Sequence, residues 1–213
     1  MFLLDDDLWF PPLDLADDDG LLAVGVDLST ERLLLAYHNA VFPWYNPGEP
    51  ILWWSPPLRM VVDPKTYKAP KSLASFLKRT PFEFTFNQEF EKVIRACQSA
   101  PRNGQDGTWI TDELIEAYIK LHQMGWAKSV EVWQEGHLVG GLYGVDLGHV
   151  FSGESMFSLV SNASKSAFVW LVNFLKENNY ALLDCQIYND HLALLGAYEI
   201  ERNHYLAVLQ QEV

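Results

Sequence analysis

The chain has 213 residues, room for one large domain or two small ones, and its 49% hydrophobic and 20% charged residues are a globular balance that excludes a disordered polymer. No apolar run approaches the roughly 18 residues of a membrane span, and Cys97 and Cys185, 88 residues apart, exclude a disulfide framework and a cysteine zinc site as the basis of the fold. The net charge of −13 argues as a whole against a nucleic-acid partner, but nine of the 15 Lys and Arg residues lie within residues 59–102 against four acidic ones, so that window is +5 and the rest of the chain −18.

In chain order, residues 1–20 carry seven aspartates, no Lys or Arg, and Pro11-Pro12, which predicts an extended acidic arm. Met1-Phe-Leu-Leu-Asp-Asp-Asp lacks the basic start and apolar core of a secretory signal, so the expectation is a soluble, cytoplasmic protein in a reducing compartment. Ser29 is placed to cap a helix from Thr30 to about Asn39, with Glu31 in its first turn. Residues 41–58 hold five prolines and three tryptophans, which predicts an irregular aromatic loop and a boundary near residue 60. The division is therefore a small N-terminal domain over 1–60 and a second domain over 61–213.

Beyond the boundary, helix and strand alternate. Lys71–Arg79 reads as helix, Phe82–Phe86 as strand, and Phe90, Val93, Ile94 and Cys97 have helical spacing. Thr111 caps a helix through Met124, with Asp112 and Glu113 at its positive end. Strands follow at Lys128–Gln134, Leu138–Leu147 and Val150–Met156, then an amphipathic helix over Asn162–Glu177. Tyr180–Tyr188 reads as a buried strand, His191–Leu195 as a helical turn and Tyr205–Leu209 as a last strand. The pattern predicts an α+β or α/β layer around one sheet.

The phosphate-loop, dinucleotide, zinc-protease and nucleophile-elbow patterns are all lacking. Gly140-Gly141-Leu-Tyr-Gly144 sits between strand residues and predicts a bulge or close backbone packing. The six histidines have no ligand spacing, so no metal is expected. Glu154, among Phe151, Met156 and Phe157, is expected to be desolvated with a raised pKa unless paired. Asp184 and Gln186 stand two apart on the predicted strand Tyr180–Tyr188, which puts both on one face, either as a buried polar pair holding strand ends or with the carboxylate orienting the amide, while Cys185 turns to the core as a structural thiol.

Eleven stretches, in order and with compatible spacing, carry a family resemblance: Gly20-Leu-Leu-Ala-Val-Gly-Val-Asp-Leu-Ser29, Phe42-Pro-Trp-Tyr45, Pro50-Ile-Leu-Trp-Trp-Ser-Pro56, Gly107-Thr-Trp-Ile110, Ala117-Tyr118, Ser129-Val-Glu-Val-Trp133, Leu138-Val-Gly-Gly-Leu-Tyr-Gly144, Gly153-Glu-Ser-Met-Phe-Ser158, Ala163-Ser-Lys165, Asp184-Cys-Gln186 and His191 with Leu195-Gly-Ala197. From about residue 20 to 208 the chain resembles the bacterial leucyl/phenylalanyl-tRNA–protein transferase family. The resemblance implies an α+β fold: a small N-terminal domain on a C-terminal, N-acetyltransferase-like mixed-sheet domain. It implies an aminoacyltransferase that moves leucine or phenylalanine, and weakly methionine, from aminoacyl-tRNA to a protein's N-terminal Arg or Lys, marking it for N-end-rule degradation. No cofactor is called for, and a monomer away from membranes is expected. By resemblance Asp184, Gln186 and Glu154 are catalytic, Gln186 orienting the amine. Tyr37, Trp44, Trp109, Tyr118, Phe151 and Met156 line the aminoacyl and adenosine site, and Lys71, Lys78 and Arg79 meet the tRNA backbone.

Two rival readings are an acetyl-CoA-dependent N-acetyltransferase and a non-enzymatic binder of basic protein N-termini. The first needs a glycine-bearing pyrophosphate turn, where Ser155–Lys165 has no glycine.

Overall fold

The computed structural model describes residues 1–100 and 108–211. Among them two sheets carry the fold. The smaller is built from β1 (Phe2–Leu3), β2 (Leu21–Val24), β3 (Phe42–Pro43) and β4 (Leu52–Trp54), in the order β1-β2-β4-β3. The larger holds β5 (Leu58–Val62), β6 (Glu83–Phe86), β7 (Ala127–Gln134), β8 (His137–Asp146), β9 (Val150–Ser158), β10 (Leu182–Asp184) and β11 (Tyr198–Glu201), in the order β11-β5-β10-β9-β8-β7-β6. The helices are α1 (Thr30–His38), α2 (Lys71–Leu77), α3 (Phe90–Ser99), α4 (Asp112–Gln123), α5 (Ala163–Glu177), α6 (Asp190–Leu194) and α7 (Arg202–Leu209). In the larger sheet β9 and β10 run parallel and the other described neighbours antiparallel, which makes the fold α+β with a mixed sheet, as expected.

Local chemistry explains the helix starts. Ser29 accepts the Arg32 N–H at the head of α1, and Thr111 accepts the Leu114 N–H at the head of α4. The larger sheet is covered on both faces, so its strands send alternate residues to two cores. Val130, Val132 and Leu142 meet the inner face of α5, with Ala167, Leu171 and Leu175. Tyr143 and Val145 point the other way, into a core shared with Leu114 and Tyr118 of α4 and with Leu22, Tyr37 and Trp53 of the N-terminal part. The two sheets therefore share one apolar interior. Position 60 falls inside β5, which pairs with β11 from Leu58 to Val61. No described helix is long and apolar enough to cross a membrane.

Three expectations are corrected. The Pro- and Trp-rich segment is not wholly irregular: Phe42 pairs with Trp54 and Pro43 with Trp53. Pro43 is tolerated because β3 is the edge of its sheet, where a missing N–H costs nothing. The strand over Tyr180–Tyr188 stops at Asp184, whose carboxylate takes the Gln186 N–H at 2.9 Å and turns the chain; Gln186 sits at φ 60°. The last segment is a helix: Tyr205 and Leu209 are its buried i, i+4 pair, and the closing strand is β11 instead.

The β8 glycines show both expected features. The register shifts between Tyr143 and Gly144, a Cβ at Gly140 would lie 2.5 Å from the Cβ of Ala163, and one at Gly144 would meet the Ser152 carbonyl and the Phe151 ring. Backbone and a buried ring cannot give way cheaply. Gly144→Ala is therefore expected to destabilise the protein by about 1–3 kcal/mol, read as a lowered thermal midpoint.

Candidate active site

The parallel strands β9 and β10 pair only from Leu182↔Val150 to Asp184↔Ser152, after which β9 continues to Ser158 without its neighbour. A cavity of about 310 Å³ opens there, between Gly153–Met156 of β9 and Cys185–Ile187 beyond β10. Phe42, Pro43 and Trp44 of the small sheet and Trp109 form a further wall, and Leu142, Phe168, Leu171, Leu183 and Leu192 supply apolar depth.

Glu154 lies on the cavity floor and is partly exposed. One carboxylate oxygen accepts the Tyr37 hydroxyl at 2.7 Å and the Gln186 side-chain amide at 2.8 Å; the other accepts the Tyr118 hydroxyl at 3.0 Å. The two tyrosine oxygens also lie within hydrogen-bond distance of each other, and with one proton each they fill two of the three contacts among Tyr37, Tyr118 and Glu154 at a time while Glu154 is ionised. Burial pushes the Glu154 carboxyl up to about 7, the negative charge of Asp184 adds to the rise, and the donors Tyr37 and Tyr118 and the Arg59 charge hold it down. Burial first, and the Glu154 charge second, raise both tyrosines well above their ordinary value, so both stay protonated and donate.

Asp184 has a different environment. Among the described residues it accepts five hydrogen bonds: from Nε and Nη2 of Arg59 at 2.8 Å each, from the Ser152 hydroxyl at 2.7 Å, from the Gln186 backbone N–H at 2.9 Å and from the Tyr205 hydroxyl at 3.2 Å. Arg59 is buried too; its third nitrogen donates to the Ala40 carbonyl at 3.2 Å, and its guanidinium carbon lies 4.7 Å from the Phe42 ring centre and 4.9 Å from that of Tyr205. The expectation that Asp184 orients the Gln186 amide is thus corrected. The chain turns at Gln186, so the two-residue alternation of a strand does not apply, and the amide meets Glu154 instead. Cys185 is buried, as expected, with its thiol pushed up by burial and by the Asp184 charge, and it lines the cavity as well.

The predicted site residues separate into groups. Glu154, Gln186, Trp44, Trp109 and Met156 line the cavity. Tyr37 and Tyr118 are buried beneath it and hold Glu154. Phe151 does not reach the cavity; it is buried in the α5-side core, its ring over Gly144, where no side chain competes for the space. Lys71, Lys78 and Arg79 are exposed on and after α2, outside the cavity. The basic window shrinks: Arg59 is buried on Asp184, Lys92 pairs with Glu89 and Arg95 with Glu91, and Arg102 lies outside the described residues, as does Gly107. Sequence reasoning missed Arg59, Ser152 and Tyr205. The signal for Arg59 was present in Leu58-Arg-Met-Val-Val62, because a cation inside an apolar strand needs a buried partner.

Residues 61–210 match the family model described as leucyl/phenylalanyl-tRNA protein transferase, and residues 26–57 that of its N-terminal domain. The chain is 55% identical to the leucyl/phenylalanyl-tRNA–protein transferase of Flavobacterium johnsoniae, covering 100% of each chain, and 51% identical to that of Thermodesulfovibrio yellowstonii, covering 100% of this chain and 86% of the relative. Among solved structures it is similar to a ribosomal-protein-alanine N-acetyltransferase from Brucella melitensis biovar Abortus 2308, with 15% identity and a TM-score of 0.39 over 52% of this chain and 82% of that one. The sequence matches define an aminoacyltransferase. The chain belongs to the leucyl/phenylalanyl-tRNA–protein transferase family.

The hydroxyl of Tyr118 stabilises the charged form of Glu154. Tyr118→Phe removes that donor, so the carboxyl should titrate above 7, by up to about one pH unit for a hydrogen bond to a charge in a partly solvated site. Carbon-13 NMR of labelled glutamate side chains measures it, and an unmoved titration would deny the donor its role.

Proposed function

We propose that this chain transfers leucine or phenylalanine, and methionine weakly, from aminoacyl-tRNA to the α-amine of a protein beginning with Arg or Lys, as a cytoplasmic monomer, and so marks that protein for N-end-rule degradation. The observation that carries the reading is the meeting of Glu154 and Gln186, 2.8 Å apart, on the floor of a cavity walled by Trp44 and Trp109. In this reading the segment to about residue 60 supplies the aromatic wall and residues 61–213 the catalytic domain.

An aminoacyl ester is already activated, and holding it against an amine supplies about 7–11 kcal/mol of the barrier through orientation alone. The acceptor arrives as an ammonium with an ordinary pKa of about 7.7–8.0. Glu154, titrating near 7, is matched to take that proton with little cost. The side-chain nitrogen of Gln186 is engaged by Glu154, which leaves its carbonyl oxygen to accept from the amine. A neutral amide is a poor base, so Gln186 orients and does not deprotonate. The amine then attacks the ester carbonyl, the C–N bond forms and the C–O bond breaks. The second proton of the nitrogen ends on the departing ribose oxygen, with Glu154 able to relay it. Asp184 contributes by fixing the backbone of Gln186.

Met156, Leu142 and Phe168 supply the apolar surroundings for the donor side chain. Such a pocket separates neighbours differing by one methylene by only about 1–3 kcal/mol, which suits weak acceptance of methionine. Trp44 and Trp109 are the stacking partners for the terminal adenosine, worth roughly 1–3 kcal/mol per base, and Lys71, Lys78 and Arg79 meet the tRNA phosphates.

The test incubates the protein with labelled Phe-tRNA and a peptide beginning with arginine, with acetyl-CoA in a parallel reaction. Transfer from the tRNA alone is expected. Acetylation would favour the acetyltransferase, and binding without transfer the non-enzymatic reading. Gln186→Ala should lower kcat and kcat/KM together by at least about tenfold with tRNA binding retained. The single-turnover rate should rise with pH through about 7, as Glu154 ionises, and in Glu154→Gln that step should be lost, leaving only the rise at the acceptor amine's own pKa of about 7.7–8.0. Replacing Lys71, Lys78 and Arg79 together by alanine should weaken tRNA binding and reduce its salt slope by about 2–3. An unchanged slope would place the RNA elsewhere.

A further inference from the structure

Two walls of the cavity come from opposite parts of the chain, and one side chain touches what lies behind both. The donor-facing wall is Phe42-Pro43-Trp44, which begins two residues after Ala40. The acceptor-facing wall begins at Gln186, whose φ of 60° is held by the bond from its N–H to Asp184. Arg59 lies between them. It grips Asp184 with two nitrogens at 2.8 Å, donates with the third to the Ala40 carbonyl, and is packed between the Phe42 and Tyr205 rings. A guanidinium presents three nitrogens in one rigid plane, so these contacts fix a spacing that a lysine, with one ammonium on a flexible stem, cannot reproduce.

We propose that Arg59 is a positioning residue for the transfer reaction: through Asp184 it sets the backbone of Gln186 at a fixed separation from the Ala40–Trp44 wall, so that amine and ester are presented to each other in register. The inference rests on the reading of this cavity as the transfer site. It differs from a general stabilising role because the contacts it organises converge on two cavity walls.

The chain carries its own probe of the distinction. Cys185 sits between Asp184 and Gln186 and lines the cavity, whereas Cys97 is buried in α3. In Arg59→Lys, maleimide alkylation of Cys185 should accelerate at least tenfold while Cys97 stays protected, and kcat should fall at least tenfold with the Kd for Phe-tRNA changed less than threefold. Equal exposure of both cysteines would make Arg59 a stabiliser of the whole fold and overturn the proposal, as would wild-type kcat in a well-folded variant. If Arg59→Lys does not accumulate folded, Tyr205→Phe decides. It keeps the ring beside Arg59 and removes one bond to Asp184, and the same two readouts should move in the same direction by two- to fivefold; unmoved readouts overturn the proposal. Selective Cys185 exposure with no transfer even by the wild-type protein would instead sink the functional reading and leave the positioning of Gln186 standing.

Discussion

The structure is organised around a charge that cannot be left unpaired. Asp184 ends a strand of buried leucines with no exposed surface. Removing a carboxylate from water costs several kcal/mol even after relaxation, and a cation recovers that cost only when the geometry is good and the remaining lone pairs are filled. Both conditions are met: Arg59 presents two parallel donors, and Ser152, Tyr205 and the Gln186 N–H supply the others. Arg59 is buried as deeply, and the charge of Asp184 keeps it protonated against the burial that would discharge it. Each group that completes this pair belongs to a different element, so satisfying one carboxylate fixes β5, β9, the end of β10, α7 and the chain after α1 against one another.

Glu154 shows what the alternative environment does. Its donors are two phenols and an amide, all neutral, and burial prevails over them enough to bring its titration to about 7. Asp184 is clamped by a full positive charge and has its acceptor sites occupied, which suits a group that holds backbone in place. Glu154 is partly exposed at the floor of a cavity and titrates near neutrality, which suits a group that exchanges protons with what enters. The two carboxylates flank Gln186, one on its backbone N–H and one on its side-chain amide.

How far this was legible in the sequence depended on the range of the interactions. Ser29 and Thr111 act on residues three positions away, and both helices begin as their caps dictate. The strands β7, β8 and β9 follow from alternation and from turns at Glu135-Gly136 and Gly148. The end of β10 was not legible, because the break at Gln186 comes from an Asp184 carboxylate held by residues as distant as Arg59. Tyr205–Leu209 fits alternation and a helical period equally well over so short a span, and burial of Tyr205 beside Asp184 selects the helix. Arg59 counts toward the +5 window over residues 59–102 because charge counting cannot see burial. The aromatic set divides by placement: Trp44 and Trp109 line the cavity, Tyr37 and Tyr118 hydrogen-bond Glu154, and Phe151 fills the space above Gly144.

The way the cavity is assembled suits how little chemistry the proposed reaction asks of the protein. Once an ester is activated before it arrives, placement is the contribution a fold can make, and placement depends on what supports the contacting groups. Tyr37 reaches Glu154 from α1, Tyr118 from α4, and Phe42 to Trp44 face the cavity from the small sheet. The small sheet, α1 and α4 share their apolar interior with the larger sheet, so the N-terminal part cannot shift without opening a core that contains Leu22, Trp53, Tyr118 and Tyr143. The tyrosine hydroxyls that tune Glu154 are therefore held by the same packing that holds the aromatic wall. A displacement of that wall would move the donors as well, so the proton affinity of Glu154 and the spacing of the cavity are set by one packing arrangement rather than two.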